Sequence, residues 1–401
     1  MFWERAVDHA LDELKRRIDA PLRLQLWDGR RIDFSNDPSV TLKLNDVRAA
    51  SAFRDPSLLS IAQAYIDGHL DFEGRLAEAV GIVEKFARMR RPFAFRGPTN
   101  ARHSRRVDRD AISHHYDVSN AFYALWLDPR MVYSCAYFIE DTDSLEKAQL
   151  QKLDHICTKL RLQAGERFLD VGCGWGALAI HAAKRYGVDA TGITLSQNQH
   201  RLACERIREA GLEGSCRVLM QDYRDHPGKA LYDKVASVGM FEHVGLRNLG
   251  EYFGAVRRLL KEGGLFLNHG ITSSDPEDRP MGMGAAEFID RYVFPKGELA
   301  HLGRVVKEMG AQDFEIADVE SLRPHYALTL SRWSANFESC YAQAVREAGE
   351  RTARIWRLYL AGCAYGFDRG WVNVYQVLAS RQAEPGPTRL PLTRDWMYAG
   401  R

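Results

Sequence analysis

The stretch Asp170-Val-Gly172-Cys-Gly174-Trp-Gly176 decides how this chain folds. It follows an apolar run of strand length, Arg167–Val171, and opens a helical stretch, Ala177–Tyr186. Alternate glycines in a strand-to-helix turn let the backbone approach a ligand at the carboxyl edge of a sheet. The spacing is GxGxG and not the GxGxxG that favours dinucleotides, so the turn predicts a cofactor site without the dinucleotide signature. Downstream the apolar runs keep alternating with helical stretches. Strands are expected near Asp189–Ile193, Cys216–Met220, Lys234–Val238 and Gly264–Asn268, with a helix over Ser196–Ala210. A late pair of strands, Phe314–Val319 and Val372–Ala379, encloses helices at about 327–347 and 350–366.

Upstream, Leu22–Trp27 and Arg31–Phe34 each alternate apolar and polar residues around Asp28-Gly29, which predicts a hairpin. A strand at Val40–Leu44 and helices through about residue 84 complete a small unit, closed by the breakers Pro92, Gly97 and Pro98. The fold class is therefore α/β. It resembles the methyltransferase-type doubly wound sheet, mostly parallel with the last strand antiparallel, preceded by a small N-terminal α/β domain. The expected divisions are 1–92, 93–130 and 131–401.

Composition narrows the class. With 45% hydrophobic and 27% charged residues, the 401-residue chain reads as globular, and no run reaches the roughly 18 apolar residues a membrane span needs. Glu4, Arg5 and Asp8 stand where a signal peptide would be apolar, so a cytoplasmic location is expected. Seven cysteines, with no CxxC pair, argue against a disulfide framework or a zinc knuckle. The net charge of +2 hides nine Lys/Arg against one acid in residues 85–109. That basic run is interleaved with Phe86, Met89, Phe93 and Phe95. It suits an anionic bilayer surface, a solvated linker or a nucleic-acid surface; no recognisable nucleic-acid module accompanies it, so no nucleic-acid partner is expected.

Within the sheet, the second strand ends Ile193-Thr194-Leu195-Ser196, without the acid that commonly holds ribose hydroxyls. Gln199 is placed to reach back, and Gln221-Asp222 follows the third strand near an adenine edge. Helix capping or solvation explains each of these polar residues as well.

The sequence also contains His115-Tyr116-Asp117-Val118-Ser119-Asn120, Tyr133-Ser134-Cys135-Ala136-Tyr137-Phe138, Gly192 to Gln199, Phe241-Glu242-His243-Val244-Gly245, Phe288–Pro295 and His325-Tyr326. With the glycine loop, these segments resemble the cyclopropane-fatty-acyl-phospholipid synthase and mycolic acid methyltransferase family. The N-terminal hairpin and Ala64-Tyr-Ile-Asp-Gly68 resemble the accessory domain of its bacterial phospholipid members. The resemblance implies an S-adenosylmethionine-dependent C-methyltransferase. An alkene would attack the sulfonium methyl, and a bound bicarbonate would remove the proton that closes a cyclopropane. The implied bicarbonate positions are Cys135, Glu242, His269, Ile271 and Tyr326. The implied cofactor positions are Tyr116, Tyr133 and Ser134 at the carboxylate end, Asp170, Gly172, Gly174 and Gly176 at the methionyl portion, and Thr194, Leu195, Gln199, Gln221 and Asp222 at the nucleoside. The family's mycolic acid members carry Trp-Glu where this chain has Gln221-Asp222.

On this reading residues 1–92 form a lipid-associated accessory domain, 93–130 a basic linker with cofactor-covering helices, and 131–401 the catalytic domain. The partner is an unsaturated phospholipid in a bilayer, reached by peripheral contact with the anionic inner face of the membrane; a homodimer follows by analogy only. No metal is expected, because adjacent Glu242 and His243 lack zinc-ligand spacing. Taken singly, Cys135 also fits a small buried hydrophobe, His269 a core histidine and Tyr326 a packing aromatic. Tyr292, Phe294 and Phe138 are candidates to line an acyl channel. Methylation without ring closure, an O- or N-methyltransferase, and a non-catalytic cofactor-binding lipid scaffold remain as alternatives.

Overall fold

The computed structural model describes residues 15–16, 18–54, 56–88, 118–382 and 390–398. The N-terminal unit is a four-stranded sheet in the order β2-β1-β3-β4. β1 (Leu22–Gln25) pairs antiparallel with β2 (Arg31–Asp33) across the predicted turn, where Gly29 adopts φ 88°. β1 is parallel to β3 (Val40–Leu44), which pairs antiparallel with β4 (Leu70–Glu73). β4 corrects the expectation of helices alone through residue 84. Its inward residue Leu70 is buried and completes a face formed by Leu22, Leu24 and Leu42. Helices α1 (Leu58–Ile66) and α2 (Leu76–Arg88) cover that face. Ser57 and Ser60 form a capping box at the start of α1, and burial of Phe86 on α2 contributes about 1.5–3 kcal/mol.

The larger sheet has seven strands in the order β10-β11-β9-β8-β5-β6-β7. β5 (Arg167–Val171), β6 (Asp189–Thr194), β7 (Cys216–Met220), β8 (Tyr232–Val238) and β9 (Leu260–Ser273) run parallel. β11 (Val372–Arg381) enters antiparallel between β9 and β10 (Phe314–Ser321). This is the doubly wound sheet with an antiparallel last strand that the sequence predicts. β9 is 14 residues long against the five expected, because nine of its residues, Leu265 to Ser273, pair with β11 and Leu260 already pairs with Tyr232 of β8.

α3 (Asn120–Ala124) and α4 (Leu145–Lys159) precede the sheet; α5 (Ala177–Tyr186), α6 (Gln197–Glu209) and α7 (Leu249–Leu259) cross between its strands. α8 (Ala285–Tyr292) and α9 (Leu302–Gly310) follow β9. The late helical region forms three helices, α10 (Arg323–Ser339), α11 (Tyr341–Ala348) and α12 (Glu350–Asp368). Cys340, at φ −113° and ψ 14°, breaks what the periodicity presents as one stretch.

α12 joins the two units. Arg351 pairs with Asp67 at 2.6 Å, Arg354 with Asp71 at 2.8 Å, and Arg357 donates to the Tyr65 hydroxyl at 3.1 Å. Its Ala361 belongs to the N-terminal core, while Trp356 and Tyr359 belong to the aromatic core of the larger unit. Among the described residues no helix is long and apolar enough to cross a membrane.

Candidate active site

The site lies where the carboxyl ends of β5, β6, β7, β8 and β9 open into loops. After β5, Gly172 takes φ 78°, and a Cβ there would stand 2.8 Å from Met240 Cγ. Only glycine fits that position without strain. Gly176, at φ 83°, begins α5.

The cavity above this turn is lined by Tyr133, Ser134, Asp170, Gly172 and Gly174, and by Thr194, Leu195, Gln199, Gln221 and Asp222 further along. Gly176 is not on its wall; it acts one step back, packing α5 close to Ala203, 3.1 Å from where a Cβ would be. Tyr116 lies outside the described residues, as do residues 89–109 of the basic run and the junction at 92–93.

Several of these polar groups already have structural work. Thr194 Oγ1 donates to Gln199 Oε1 at 2.8 Å, and Ser196 caps α6. Asp222 caps the next turn and pairs with Arg224 at 2.6 Å, and Gln221 Nε2 donates to the Asp225 carbonyl at 3.3 Å. Trp175 Nε1 donates to Asn120 Oδ1 at 2.8 Å, which lays α3 across the glycine loop.

Lys152 was not anticipated from the sequence. It is buried on α4, lines the cofactor cavity and donates to Ser134 Oγ at 3.0 Å. Burial lowers its pKa to about 8. Asp170, also buried, is raised to about 7 by desolvation, and the Lys152 charge opposes that rise. A carboxylate that ends the first strand beside a glycine loop is suited to an ammonium group of a ligand.

A second cavity, of about 130 Å³, adjoins the first and shares Tyr133, Ser134, Gly239 and His243 with it. The structure brings Cys135, Glu242, His269, Ile271 and Tyr326 together on its wall. Glu242 stands on a short turn after β8, and Gly270 makes room for it: a Cβ there would meet Phe241 Cε1 at 2.1 Å and Glu242 Oε1 at 3.0 Å. Glu242 Oε1 accepts from the Ile271 N–H at 2.7 Å. That backbone donor therefore holds the carboxylate, where the sequence reading gave it to the anion.

Glu242 Oε2 and His269 Nε2 are both buried, and neither has a hydrogen-bond partner among the described residues. Burial raises Glu242 to about 7. Burial, with Lys152 and Lys159, lowers His269 to about 3, so its imidazole is neutral. With Gln376 Nε2 donating to His269 Nδ1 at 3.2 Å, the ring proton sits on Nε2. The cavity thus holds an unsatisfied acceptor and an unsatisfied donor, a pair that fits a small molecule bearing both an oxyanion and a hydroxyl. Tyr326 packs against Trp333 and Phe367, and burial raises its phenol far above the usual range, so it remains a donor. Burial does the same to the Cys135 thiol, which lies 3.3 Å from the Ala136 carbonyl; it is no nucleophile.

Of the three aromatics suggested for an acyl channel, Phe294 lines this cavity. Phe138 instead packs with Ala136 and Ala148, and the Tyr292 hydroxyl bonds Gln63 of the N-terminal unit. Among the described residues no group of three or more His, Cys, Asp or Glu has a metal-binding arrangement.

Comparison with known proteins accords with this geometry. Residues 103–377 match the family described as mycolic acid cyclopropane synthetase, and residues 11–90 match a domain of unknown function. A probable fatty acid methyltransferase of Pseudomonas putida is 48% identical over 95% of this chain and 97% of its own. The cyclopropane-fatty-acyl-phospholipid synthase of Escherichia coli K12 is 39% identical over 68% of each chain. A solved mycolic acid cyclopropane synthase, complexed with SAH and CTAB, superposes with a TM-score of 0.65 at 36% identity, covering 68% of this chain and 98% of that one. A glycine loop at the head of a doubly wound sheet, a two-cavity site and matches of this extent have one common source: the chain belongs to the mycolic acid cyclopropane synthetase family of S-adenosylmethionine-dependent methyltransferases.

Proposed function

We propose that this protein transfers the methyl carbon of S-adenosylmethionine to the double bond of an unsaturated acyl chain in a membrane phospholipid and closes a cyclopropane with the help of bound bicarbonate. The observation that carries this reading is the pair of unsatisfied buried atoms, Glu242 Oε2 and His269 Nε2, on an apolar cavity that shares walls with the cofactor cavity. S-Adenosylmethionine supplies an electrophilic methyl, and bicarbonate supplies a base.

This chain's residues do the rest. Gly172 and Gly174 let the backbone approach the cofactor, and Asp170 takes its ammonium. Glu242, oriented by the Ile271 N–H, would hold bicarbonate as an acceptor, and neutral His269 and the Tyr326 phenol would hold it as donors. Hydrocarbon walls at Leu299, Leu330 and Val374 exclude water from a cationic centre on the acyl chain. The basic run at 85–109 supports peripheral contact with an anionic inner membrane face from the cytoplasm.

One observation favours a second reading. The Pseudomonas putida relative, at 48% identity, is named a fatty acid methyltransferase, so methylation without ring closure is the alternative product. Purified protein incubated with labelled S-adenosylmethionine and liposomes of monounsaturated phospholipid decides between them, with fatty acids separated by gas chromatography and weighed by mass spectrometry. A labelled cyclopropane chain is the expected product. A labelled methylene or methyl branch keeps the site and changes the product, and no incorporation despite cofactor binding overturns the reading in favour of a scaffold.

A further inference from the structure

A third cavity, also of about 130 Å³, lies in the seam between the two units. Ile61 and Ala62 of α1, with Val80 and Val83 of α2, wall it on one side; Gly362 of α12 and Ile289 of α8 wall it on the other. It shares Met281, Ile289, Tyr359, Cys363 and Val372 with the reaction cavity, so the two adjoin across these side chains. Its lining offers almost nothing to a polar ligand. The Tyr65 hydroxyl accepts from Arg357, and the Tyr359 hydroxyl accepts from Tyr133 at 3.1 Å. Protein interiors are close-packed, and an apolar void of this size sharing walls with a reaction cavity is suited to hydrocarbon.

We infer that the seam cavity is the binding site for the methyl-terminal segment of the acyl chain, and that its depth selects how far the double bond lies from the methyl end. This rests on the acyl-chain reading of the reaction cavity. The ester and head group need polar partners or water, which this lining lacks, so only the hydrocarbon end fits. An apolar protein cavity of about 150 Å³ accepts a benzene ring, so this one holds roughly six carbons beyond the reaction cavity. The wall on one side comes from the N-terminal unit, which makes that unit part of the substrate site.

Gly362 offers a direct test. It lies within α12, and a Cβ built there meets nothing within 4 Å. A larger side chain enters the cavity while helix propensity improves. Gly362→Phe, and Ala62→Leu from the opposite wall, are assayed on phospholipids whose cis double bond leaves a long methyl-side tail (about eight carbons) or a short one (about three). Both variants are expected to shift the long-to-short ratio of kcat/KM by about tenfold or more toward the short tail. Unchanged ratios in both variants overturn the inference.

A phospholipid carrying a diazirine at the methyl end of its unsaturated chain reads position without turnover. In the wild type, photolabel is expected on α1, α2, α8 or α12, and Gly362→Phe should displace it; label confined to other elements, or label that Gly362→Phe leaves in place, overturns the inference. Seam labelling by a protein that makes no methylated product sinks the proposed reaction but keeps the hydrocarbon site. Product formation with label elsewhere does the reverse.

Discussion

Replacing Glu242 by Gln separates what the carboxylate does for chemistry from what it costs the fold. Burial raises the carboxyl from its ordinary 4.5 to about 7, which corresponds to about 3 kcal/mol held against the ionised form. The sign follows from linkage. A group raised in the folded state contributes full stability below pH 4.5 and loses it as pH climbs through about 7. Glutamine keeps an amide oxygen for the Ile271 N–H, bonded at 2.7 Å in the wild type, but carries no charge to desolvate. Glu242→Gln should therefore be more stable than the wild type at pH 8, by about 1–3 kcal/mol, with the advantage vanishing near pH 4. Turnover should move the opposite way. Loss of a charge-assisted acceptor for the base is worth about 1.5–3 kcal/mol, and misplacing the base adds to it, so a fall of about a hundredfold or more is expected. Urea unfolding at several pH values gives the first quantity and labelled-methyl incorporation the second, with cofactor affinity measured by calorimetry as the control. A variant less stable at pH 8, or one that keeps turnover within about threefold, refutes the assignment; loss of cofactor binding would mean that Glu242 serves the other cavity.

Lys152→Met removes the charge that opposes the rise of Asp170, so the pH below which cofactor affinity falls should move up from about 7; an unmoved midpoint in calorimetric titrations would disconnect the two residues. Gly172→Ala places a Cβ 2.8 Å from Met240 Cγ at φ 78°; it should cost about 1–2 kcal/mol in thermal or urea unfolding and weaken the cofactor by tenfold or so. Reversing the charge of Arg90, Arg91 and Arg96 should weaken sedimentation with anionic liposomes and lower activity on them together, most clearly at low salt; unchanged binding there would free the basic run from the membrane.

What the sequence made legible was local. The glycine loop and the apolar runs before and after it are contiguous signals, so the succession of strands and helices that build the large sheet, and the position of the cofactor cavity, could be read directly. β4 escaped because Leu70-Asp-Phe-Glu73 is only four residues long and pairs with β3, nearly 30 positions earlier; its alternation rests on Leu70 and Phe72 alone. The break at Cys340 carries no glycine or proline. The donor at Ile271 is a backbone N–H, whose partner depends on where Glu242 arrives and not on any side chain. Lys152 was within reach. In α4 the buried positions Leu145, Ala148, Gln149, Lys152, Leu153 and Ile156 recur at helical spacing, and a lysine on that stripe is a signal.

The seam cavity was beyond any local pattern, because its walls come from residues about 300 positions apart, and the same distance explains why α12 matters. One face of this helix presents Tyr359 to the Tyr133 hydroxyl, at the partition between the cofactor and reaction cavities. The adjoining face carries Gly362 and Cys363 into the seam, and its arginines fasten to Asp67, Asp71 and Tyr65 of the N-terminal unit. A rigid helix of 19 residues cannot shift at one of these contacts and stay fixed at the other. Docking of the N-terminal unit and the position of the tyrosine between the two cavities are therefore a single structural variable. Under the proposed function, the unit proposed to meet the lipid is mechanically joined to the wall of the proposed reaction cavity.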